Sequence, residues 1–328
     1  MQAGKQHWNK RMETVAAQEF HEVQERALLK ELDYVWSQSE FYQEKFQQAG
    51  ITRRQITGLE DLAKLPFTEK QELRESLNST KPLGKHAAVD ISRVIRVYST
   101  SGTTGNPTYI GLSSHDRDVW CETSNRAMWT CGMRPHHIVP LPIGTFFIAA
   151  SYGEAIENLG ATLVPVGVGA TDRLIGALNN LGANYILATS SFPLYLIDYC
   201  QRKGLDTQSL GIEGFMLGGE PGAGIPHIRK RIEEAFGATI REVMGNGDML
   251  GLMWAECEYG NGMHFIAQGA CHPEIINPDS GEALPIEEGT TGEIVYTSLD
   301  RECQPLIRFR SRDHVEVVKT SCPCGRTG

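Results

Sequence analysis

Between Ile138 and Met244, apolar runs alternate with segments of helical periodicity. Three of these helix-like segments end in Gly-Ala, and a predicted strand follows each time. A glycine after a helix accepts the left-handed conformation, and short connections from helix to strand favour it. Alternation of this kind predicts an α/β fold in which mostly parallel strands are covered by helices. The three junctions are Gly160–Ala161, Gly182–Ala183 and Gly237–Ala238.

The first fifty residues predict helices instead. Leu28, Leu32 and Val35 recur at helical spacing in the segment that begins at residue 11. Ser39 is placed to cap a second helix that ends at Gly50.

A third helix is predicted to begin at Pro66 and Thr68. Gln71 lies three residues after Thr68, the spacing of a capping box. We interpret these N-terminal helices as scaffold.

After Gly262 the helical pattern gives way to alternation. The runs 291–296 and 314–318 alternate like strands, and Asn277–Glu282 has the composition of a turn. The predicted organisation is a helical part in 1–90, an α/β core in 91–256 and a smaller β-rich subdomain in 257–328.

One polar segment lies between two predicted strands, 94–97 and 109–112. Its glycines allow a tight turn that directs several N–H groups into one concavity, and its hydroxyls add donors. Such a nest suits a polyphosphate, whereas a flexible turn is the ordinary alternative. It is not the common P-loop, which needs a Lys before its Ser or Thr. The segment comprises Ser99, Thr100, Ser101, Gly102, Thr103, Thr104, Gly105, Asn106, Pro107 and Thr108.

Composition narrows the classes of function. The chain has 328 residues and a net charge of −9, which argues against general nucleic-acid binding. The N-terminus is polar, and the most apolar segment, 138–150, is too short to span a bilayer. Eight cysteines without a signal peptide predict a reducing cytoplasm, with thiols or metal ligation instead of disulfides.

Several separated motifs together resemble the phenylacetate–CoA ligase family, a branch of the acyl-adenylate-forming enzymes. The resemblance covers essentially the whole chain, and Thr108, where many other adenylating enzymes carry Lys, matches this branch. The matching residues are Trp8–Lys10, Leu62–Thr68, Ser99–Thr108, Gly219–Pro221, Gly245–Asp248, Pro305–Asp313 and Cys322–Thr327.

This resemblance implies an ATP-dependent, AMP-forming ligase with the fold of the family's large N-terminal domain. A carboxylate attacks the α-phosphate of Mg-ATP, and the thiol of CoA then displaces AMP from the acyl-adenylate. Such chemistry needs positioning and charge neutralisation more than covalent help from the protein.

The same resemblance assigns roles to residues. The segment from Thr100 to Gly105 would hold the β- and γ-phosphates, and Asp248 would bind Mg²⁺ where the family usually has Glu. The remaining nucleotide-binding set is predicted to be Ser99, Gly102, Gly219, Glu220, Pro221, Gly245, Asn246 and Asp313.

Within that set, Glu220 and Pro221 would lie beside the adenine. Asp313 would accept hydrogen bonds from the ribose hydroxyls. The alternatives are a surface turn for Asp248 and an ion pair with Arg310 or Arg312 for Asp313.

A stretch of the α/β core aligns with the family's aromatic acyl pocket. Phe146, Phe147 and Tyr152, with Gly153, could pack a flat ring, although aromatic residues at such spacing are more often core. The predicted acyl substrate is therefore an aryl or arylacetic acid.

Cysteine and histidine suggest a structural zinc site. Cys257, His264, Cys322 and Cys324 would supply three thiolates and one imidazole. Cys271, His272 and Cys303 are alternative ligands, and buried thiols without a metal are the plain alternative. A redox role for the Cys-Pro-Cys pair is a third option. Cys121, Cys131 and Cys200 are interpreted as structural.

In the family a C-terminal lid domain follows the segment that ends this sequence. We therefore expect this chain alone to bind ATP and carboxylate but to turn over poorly. Two other functions stay open: transfer of the acyl group to a carrier protein or another acceptor, and a nucleotide-binding remnant without catalysis. A homodimer is a family expectation.

Overall fold

The computed structural model describes residues 5–77, 81–100 and 108–328. Among these residues, no helix is both long and apolar enough to cross a membrane. No disulfide joins the eight cysteines, all of which lie in the described ranges. The helices are α1 Lys10–Glu13, α2 Ala17–Gln38, α3 Glu40–Gln48, α4 Lys70–Ser76, α5 Ser114–Thr130, α6 Tyr152–Leu159, α7 Thr171–Leu181, α8 Phe192–Lys203 and α9 Pro226–Phe236.

The strands include several short pairs and two larger sheets. They are β1 Arg96–Ser99, β2 Tyr109–Leu112, β3 Ile138–Pro140, β4 Thr162–Val164, β5 Tyr185–Ala188, β6 Gly214–Gly218, β7 Thr239–Asn246, β8 Leu250–Glu256, β9 Met263–Phe265, β10 Cys271–Ile276, β11 Ala283–Leu284, β12 Thr291–Ser298 and β13 Phe309–Glu316.

The chain divides into two compact units. The first unit comprises Met1–Asn9, Cys121–Gly245 and Leu250–Ile266, and the second comprises Lys10–Trp120, Asn246–Met249 and Ala267–Gly328. The predicted three-part organisation along the sequence stays a prediction.

The first unit is built on a sheet in the order β5-β6-β7-β8-β9. β5, β6 and β7 are parallel, and β8 and β9 are antiparallel. Residues of the strands and of helices α7, α8 and α9 form one buried core. This confirms the predicted α/β class with parallel strands and helical cover.

The predicted glycine junctions are also confirmed. Gly160, Gly182 and Gly237 follow α6, α7 and α9 with φ of 92°, 65° and 66°, in the left-handed region. A β-carbon at these positions would strain the backbone, so glycine lets each helix end and the next strand begin at once.

The second unit contains the β-rich part. β11, β10, β12 and β13 form an antiparallel sheet in that order, and β1 and β2 form a two-stranded antiparallel pair. Helices α2 and α3 pack together through fully buried side chains on the predicted stripe. Those side chains are Leu28, Leu32, Val35, Tyr42 and Phe46.

The first strand differs from the prediction. The run 94–97 is the predicted strand, but β1 begins at Arg96, because Val94 is the C-cap that ends a 3₁₀ turn, Ile91–Arg93. Asp90 stabilises that turn by accepting a hydrogen bond from the N–H of Ser92 at 2.9 Å. β1 pairs with β2 and lies outside the parallel sheet of the first unit.

The predicted cap of the third helix is wrong by one residue. Glu69 is the N-cap of α4, and the capping box uses Glu72 instead of Gln71. Thr68 does not serve as a cap because its hydroxyl donates to the carbonyl of Ile307 at 2.7 Å. Likewise, Ser39 lies at the N-cap of α3, but its side chain makes no capping hydrogen bond.

Candidate active site

The base of the polar segment is closed by hydrogen bonds between its two ends. Thr100 N–H donates to the carbonyl of Thr108 at 3.0 Å, and the two hydroxyl oxygens lie 2.9 Å apart. Ser99 is the last residue of β1 and pairs with Tyr109 of β2. This pairing fixes the positions of the two ends of the polar segment, at the end of β1 and the start of β2. The predicted residues Ser101, Gly102, Thr103, Thr104 and Gly105 lie outside the described residues.

Asp248 lies in the turn that connects β7 to β8. Its N–H donates to the side-chain oxygen of Asn246 at 3.1 Å. The Asp248 side chain is only 12% exposed, and its carboxylate accepts a hydrogen bond from the ammonium of Lys70. The alternative interpretation of Asp248 was an exposed carboxylate in a surface turn. Its burial and its pairing with Lys70 argue against that interpretation. A cation therefore already lies where the sequence predicts a metal ligand.

Arg301 supports the same turn through its backbone. The guanidinium donates to the carbonyl of Asp248 at 2.6 Å and to that of Met249. The arginine is buried, and burial lowers its pKa from the ordinary value. Both accepting carbonyls belong to the turn. Arg301 therefore stabilises the backbone conformation that positions the Asp248 carboxylate.

Gly245 has a packing reason for lacking a side chain. A β-carbon there would lie 1.8 Å from the carbonyl oxygen of Gly251 on β8. The predicted role of Gly245 in nucleotide binding stays a prediction, but close approach of the two strands already requires glycine.

Glu220 follows β6 at the carboxyl end of the parallel sheet. Gly219 has φ of 81°, and the next residue directs its carboxylate to the N–H of Ser191 at 2.7 Å. Hydrogen bonding by Ser191 lowers the pKa of Glu220. Pro221 is exposed beside it. The loop is thus ordered by its own contacts, at the edge where parallel sheets bind ligands.

Asp313 lies in the middle of β13 and is half-buried. Burial raises the pKa of its carboxyl group. The alternative role for Asp313 was an ion pair with Arg310 or Arg312. In the part of the chain that the structure describes, these two arginines pair with other carboxylates. Arg310 pairs with Glu293, and Arg312 donates to Glu69 at 2.8 Å.

The predicted acyl-pocket residues lie in the first unit, around the start of α6. Phe146 and Phe147 are 56% and 39% exposed, so neither is a core side chain. Tyr152 is half-buried, and its hydroxyl donates to the carbonyl of Gly251 at 2.9 Å. Gly153 is buried, and a β-carbon there would lie 3.3 Å from the Leu163 side chain, which gives it a packing role.

The predicted zinc ligands form two close pairs. In the first unit Cys257 follows β8 and His264 lies on β9, with their ligand atoms within 4.8 Å of each other. In the second unit the sulfurs of Cys322 and Cys324 also lie within 4.8 Å. Each pair can offer two ligands to one ion. Binding of a single zinc ion by all four residues stays a prediction.

Sequence reasoning missed Lys70 and Arg301. Lys70 lies two residues beyond the matched Leu62–Thr68 segment, and nothing local marks it as different from other helix lysines. Arg301 had a usable signal, since it stands between two mostly apolar runs, 294–299 and 305–307. A cation in that setting indicates a buried partner.

The chain is similar to proteins named phenylacetate-coenzyme A ligase. The phenylacetate-coenzyme A ligase of Thermus thermophilus is 32% identical over 320 residues, covering 96% of this chain and 70% of that protein. The enzyme of the same name from Pseudomonas putida is 32% identical over 323 residues, covering 97% and 71%. No model of a protein family matches the chain.

Among solved structures, a 2-hydroxyisobutyryl-CoA ligase in complex with 2-HIB-AMP and CoA superposes with a TM-score of 0.92. It is 32% identical, and the match covers 99% of this chain and 69% of the other. The α/β fold and this similarity define an adenylate-forming ligase. The chain belongs to the phenylacetate–CoA ligase family. It is accordingly an AMP-forming acid–CoA ligase, which uses ATP to make an acyl-adenylate and CoA to make the thioester.

Proposed function

We propose that the acid activated by this ligase is an aryl or arylacetic acid. The observation that carries the proposal is the exposure of Phe146 and Phe147 just before α6. An exposed aromatic ring does not contribute to folding stability as a buried ring does. Binding of a ligand therefore explains these two side chains better than packing within the protein. Tyr152, anchored through Gly251, adds a third ring on the same segment.

The comparisons support two kinds of acid. The curated relatives are named for phenylacetate, whereas the similar solved structure is named for 2-hydroxyisobutyrate, a small branched acid. A small hydroxy acid needs polar partners for its hydroxyl and little aromatic surface. The two phenylalanines therefore favour the aromatic acid.

We propose the following roles in nucleotide binding. The segment from Thr100 to Gly105 holds the β- and γ-phosphates, Glu220 and Pro221 lie beside adenine, and Asp313 accepts from the ribose. Asp248 binds Mg²⁺, a hard cation that prefers carboxylate and phosphate oxygens. The donor set fits, because the Asp248 carboxylate already has a cationic partner in Lys70. When bound, Mg²⁺ would neutralise charge on the phosphates.

The substrate proposal is tested with a panel of acids and two readouts. Benzoate, phenylacetate and 2-hydroxyisobutyrate are compared by acid-dependent exchange of pyrophosphate into ATP and by AMP release with and without CoA. We expect the aromatic acids to have the higher kcat/KM and AMP release to depend on CoA. A preference for 2-hydroxyisobutyrate would refute the aromatic assignment, and release independent of CoA would indicate another acceptor.

Two variants connect the panel to the proposed pocket. Phe147→Ala is expected to raise the KM of aromatic acids about tenfold, since burying an aromatic ring contributes a few kcal/mol at most. Tyr195→Ala removes a similarly exposed ring, 44% accessible, on α8 and serves as the matched control. If both variants change KM equally, exposed aromatic surface has no specific role.

Two further expectations from the sequence analysis are proposed here as well. A homodimer is tested by light scattering on the purified protein, and a cytoplasmic location by fractionation of the source cells. Neither affects the assignment of the acid.

A further inference from the structure

Lys70 makes an unusual set of contacts for the first residue of a short helix. Its ammonium donates to the Asp248 carboxylate and, at 2.8 Å, to the hydroxyl of Thr108. The lysine side chain is 26% exposed, and Thr108 is buried. All three residues belong to the second unit. One ammonium thus joins α4, the end of the polar segment and the turn of Asp248.

These contacts differ from those of an ordinary surface ion pair. Lys64, for comparison, is 57% exposed and pairs with Asp61, three residues away, an arrangement that contributes little to stability. Lys70 and Asp248 are 178 positions apart in sequence and both largely buried. Ordering a long side chain at such a site costs entropy, and desolvating its charge costs more. A functional role for the charge would explain why it is retained.

The position of Thr108 suggests what that role is. Phosphate-binding loops commonly use a lysine beside the glycine and hydroxyl donors, as in the P-loop. Here the polar segment ends in threonine, and its hydroxyl is hydrogen-bonded to both Thr100 and Lys70. An ammonium from α4 therefore lies where the segment itself has no cation.

We propose that Lys70 is the phosphate-binding cation of this enzyme, supplied from α4 to a segment whose own residues lack one. Before ATP binds, the ammonium holds the Asp248 carboxylate. In the complex it would donate to the β- and γ-phosphate oxygens beside Thr108, which would leave the Asp248 carboxylate available to hold Mg²⁺. This inference rests on the proposed role of the polar segment in binding those phosphates.

The inference makes a prediction that a purely structural ion pair does not. ATP carries the β- and γ-phosphates and AMP does not. Lys70→Gln is therefore expected to raise the Kd of Mg-ATP about 10- to 100-fold, the range for one hydrogen bond to a charged group. The Kd of AMP should change less than about twofold. Both are measured by isothermal titration calorimetry, independent of turnover.

Four further variants complete the experiment. Lys64→Gln is the matched control and should bind ATP like the wild type. Lys70→Arg keeps the charge and should retain most of the affinity. The exchange variant Lys70→Thr with Thr108→Lys moves the cation onto the segment and should recover ATP binding lost in Lys70→Thr alone.

The outcomes separate this inference from the proposed function. If the wild type binds neither ATP nor AMP, the nucleotide-binding proposal itself fails. If the wild type binds ATP and Lys70→Gln binds it equally well, only the role of Lys70 is refuted. Equal loss of ATP and AMP binding would also refute it, because that result means the residue only supports the fold. If Lys70→Gln does not fold, the role of Lys70 is tested with the arginine and exchange variants, by the same comparison of the Kd of ATP with the Kd of AMP.

Discussion

Glu31 offers a test of how charge is accommodated in the interior of the second unit. It lies on α2, it is buried, and its carboxylate accepts a hydrogen bond from the backbone N–H of Arg301 at 3.3 Å. Burial raises the pKa of Glu31 from 4.5 to about 8, against the lowering effect of the Arg301 backbone. The nearby carboxylates of Asp300 and Asp116 raise this pKa further, and the Arg301 guanidinium lowers it.

This pKa determines how stability depends on pH. Below pH 4.5 the folded and unfolded chains both carry the proton, so the stability associated with neutral Glu31 is fully present. Between 4.5 and about 8 the unfolded chain releases its proton first, and stability falls as pH rises. At about 1.4 kcal/mol per pH unit, the total change is about 5 kcal/mol.

Glu31→Gln removes this titration while keeping an oxygen that can accept from Arg301. We expect its free energy of unfolding in urea to match the wild type at about pH 4.5 and to exceed it by roughly 3–5 kcal/mol at about pH 8.5. Glu19→Gln, on the exposed face of the same helix, controls for the loss of a charge. Two results would contradict this reasoning: a difference in unfolding free energy between variant and wild type that does not vary with pH, or a wild type that is the more stable protein at the higher pH. Either result would show that Arg301 keeps Glu31 ionised.

Three other substitutions test the candidate site. Gly245→Ala is expected to destabilise the chain by about 3 kcal/mol or more in urea unfolding, since its β-carbon meets Gly251; an unchanged midpoint would contradict the close strand approach. Asp313→Asn should raise the KM for ATP about tenfold in pyrophosphate exchange, with no change in Tm; an unaltered KM would remove Asp313 from the ribose site. The purified chain should contain about one zinc ion by mass spectrometry, and Cys322→Ser should lose it; a metal-free wild type would refute the zinc site.

Much of the fold could be predicted because its signals are local. The glycines at 160, 182 and 237 mark helix ends through a backbone conformation that other residues avoid, and the structure places each in that conformation. Helix stripes such as Leu28, Leu32 and Val35 follow from periodicity alone. Caps were less predictable, since Thr68 has a distant partner, Ile307, that competes for its hydroxyl.

The sequence offers candidate site residues only where they stand in a contiguous motif. Glu220, Asp248 and Asp313 stand in recognisable short segments. Lys70 does not, because its two hydrogen-bond partners are 38 and 178 positions away. A lysine at the start of a helix is common, and only the tertiary contacts distinguish this one from Lys64.

The buried charges of the second unit are connected through the turn that carries Asp248. Arg301 binds the carbonyl of that residue, while Lys70 binds its carboxylate. Asp116 anchors the backbone after Arg301 by accepting from the N–H groups of Glu302 and Cys303, at 2.7 and 2.9 Å. Lys70 and Asp248 form a mostly buried ion pair, and replacing either one leaves the other charge without its ionic partner, which costs more than the pair contributes. The position of the Asp248 carboxylate therefore depends on groups that never need to touch a substrate.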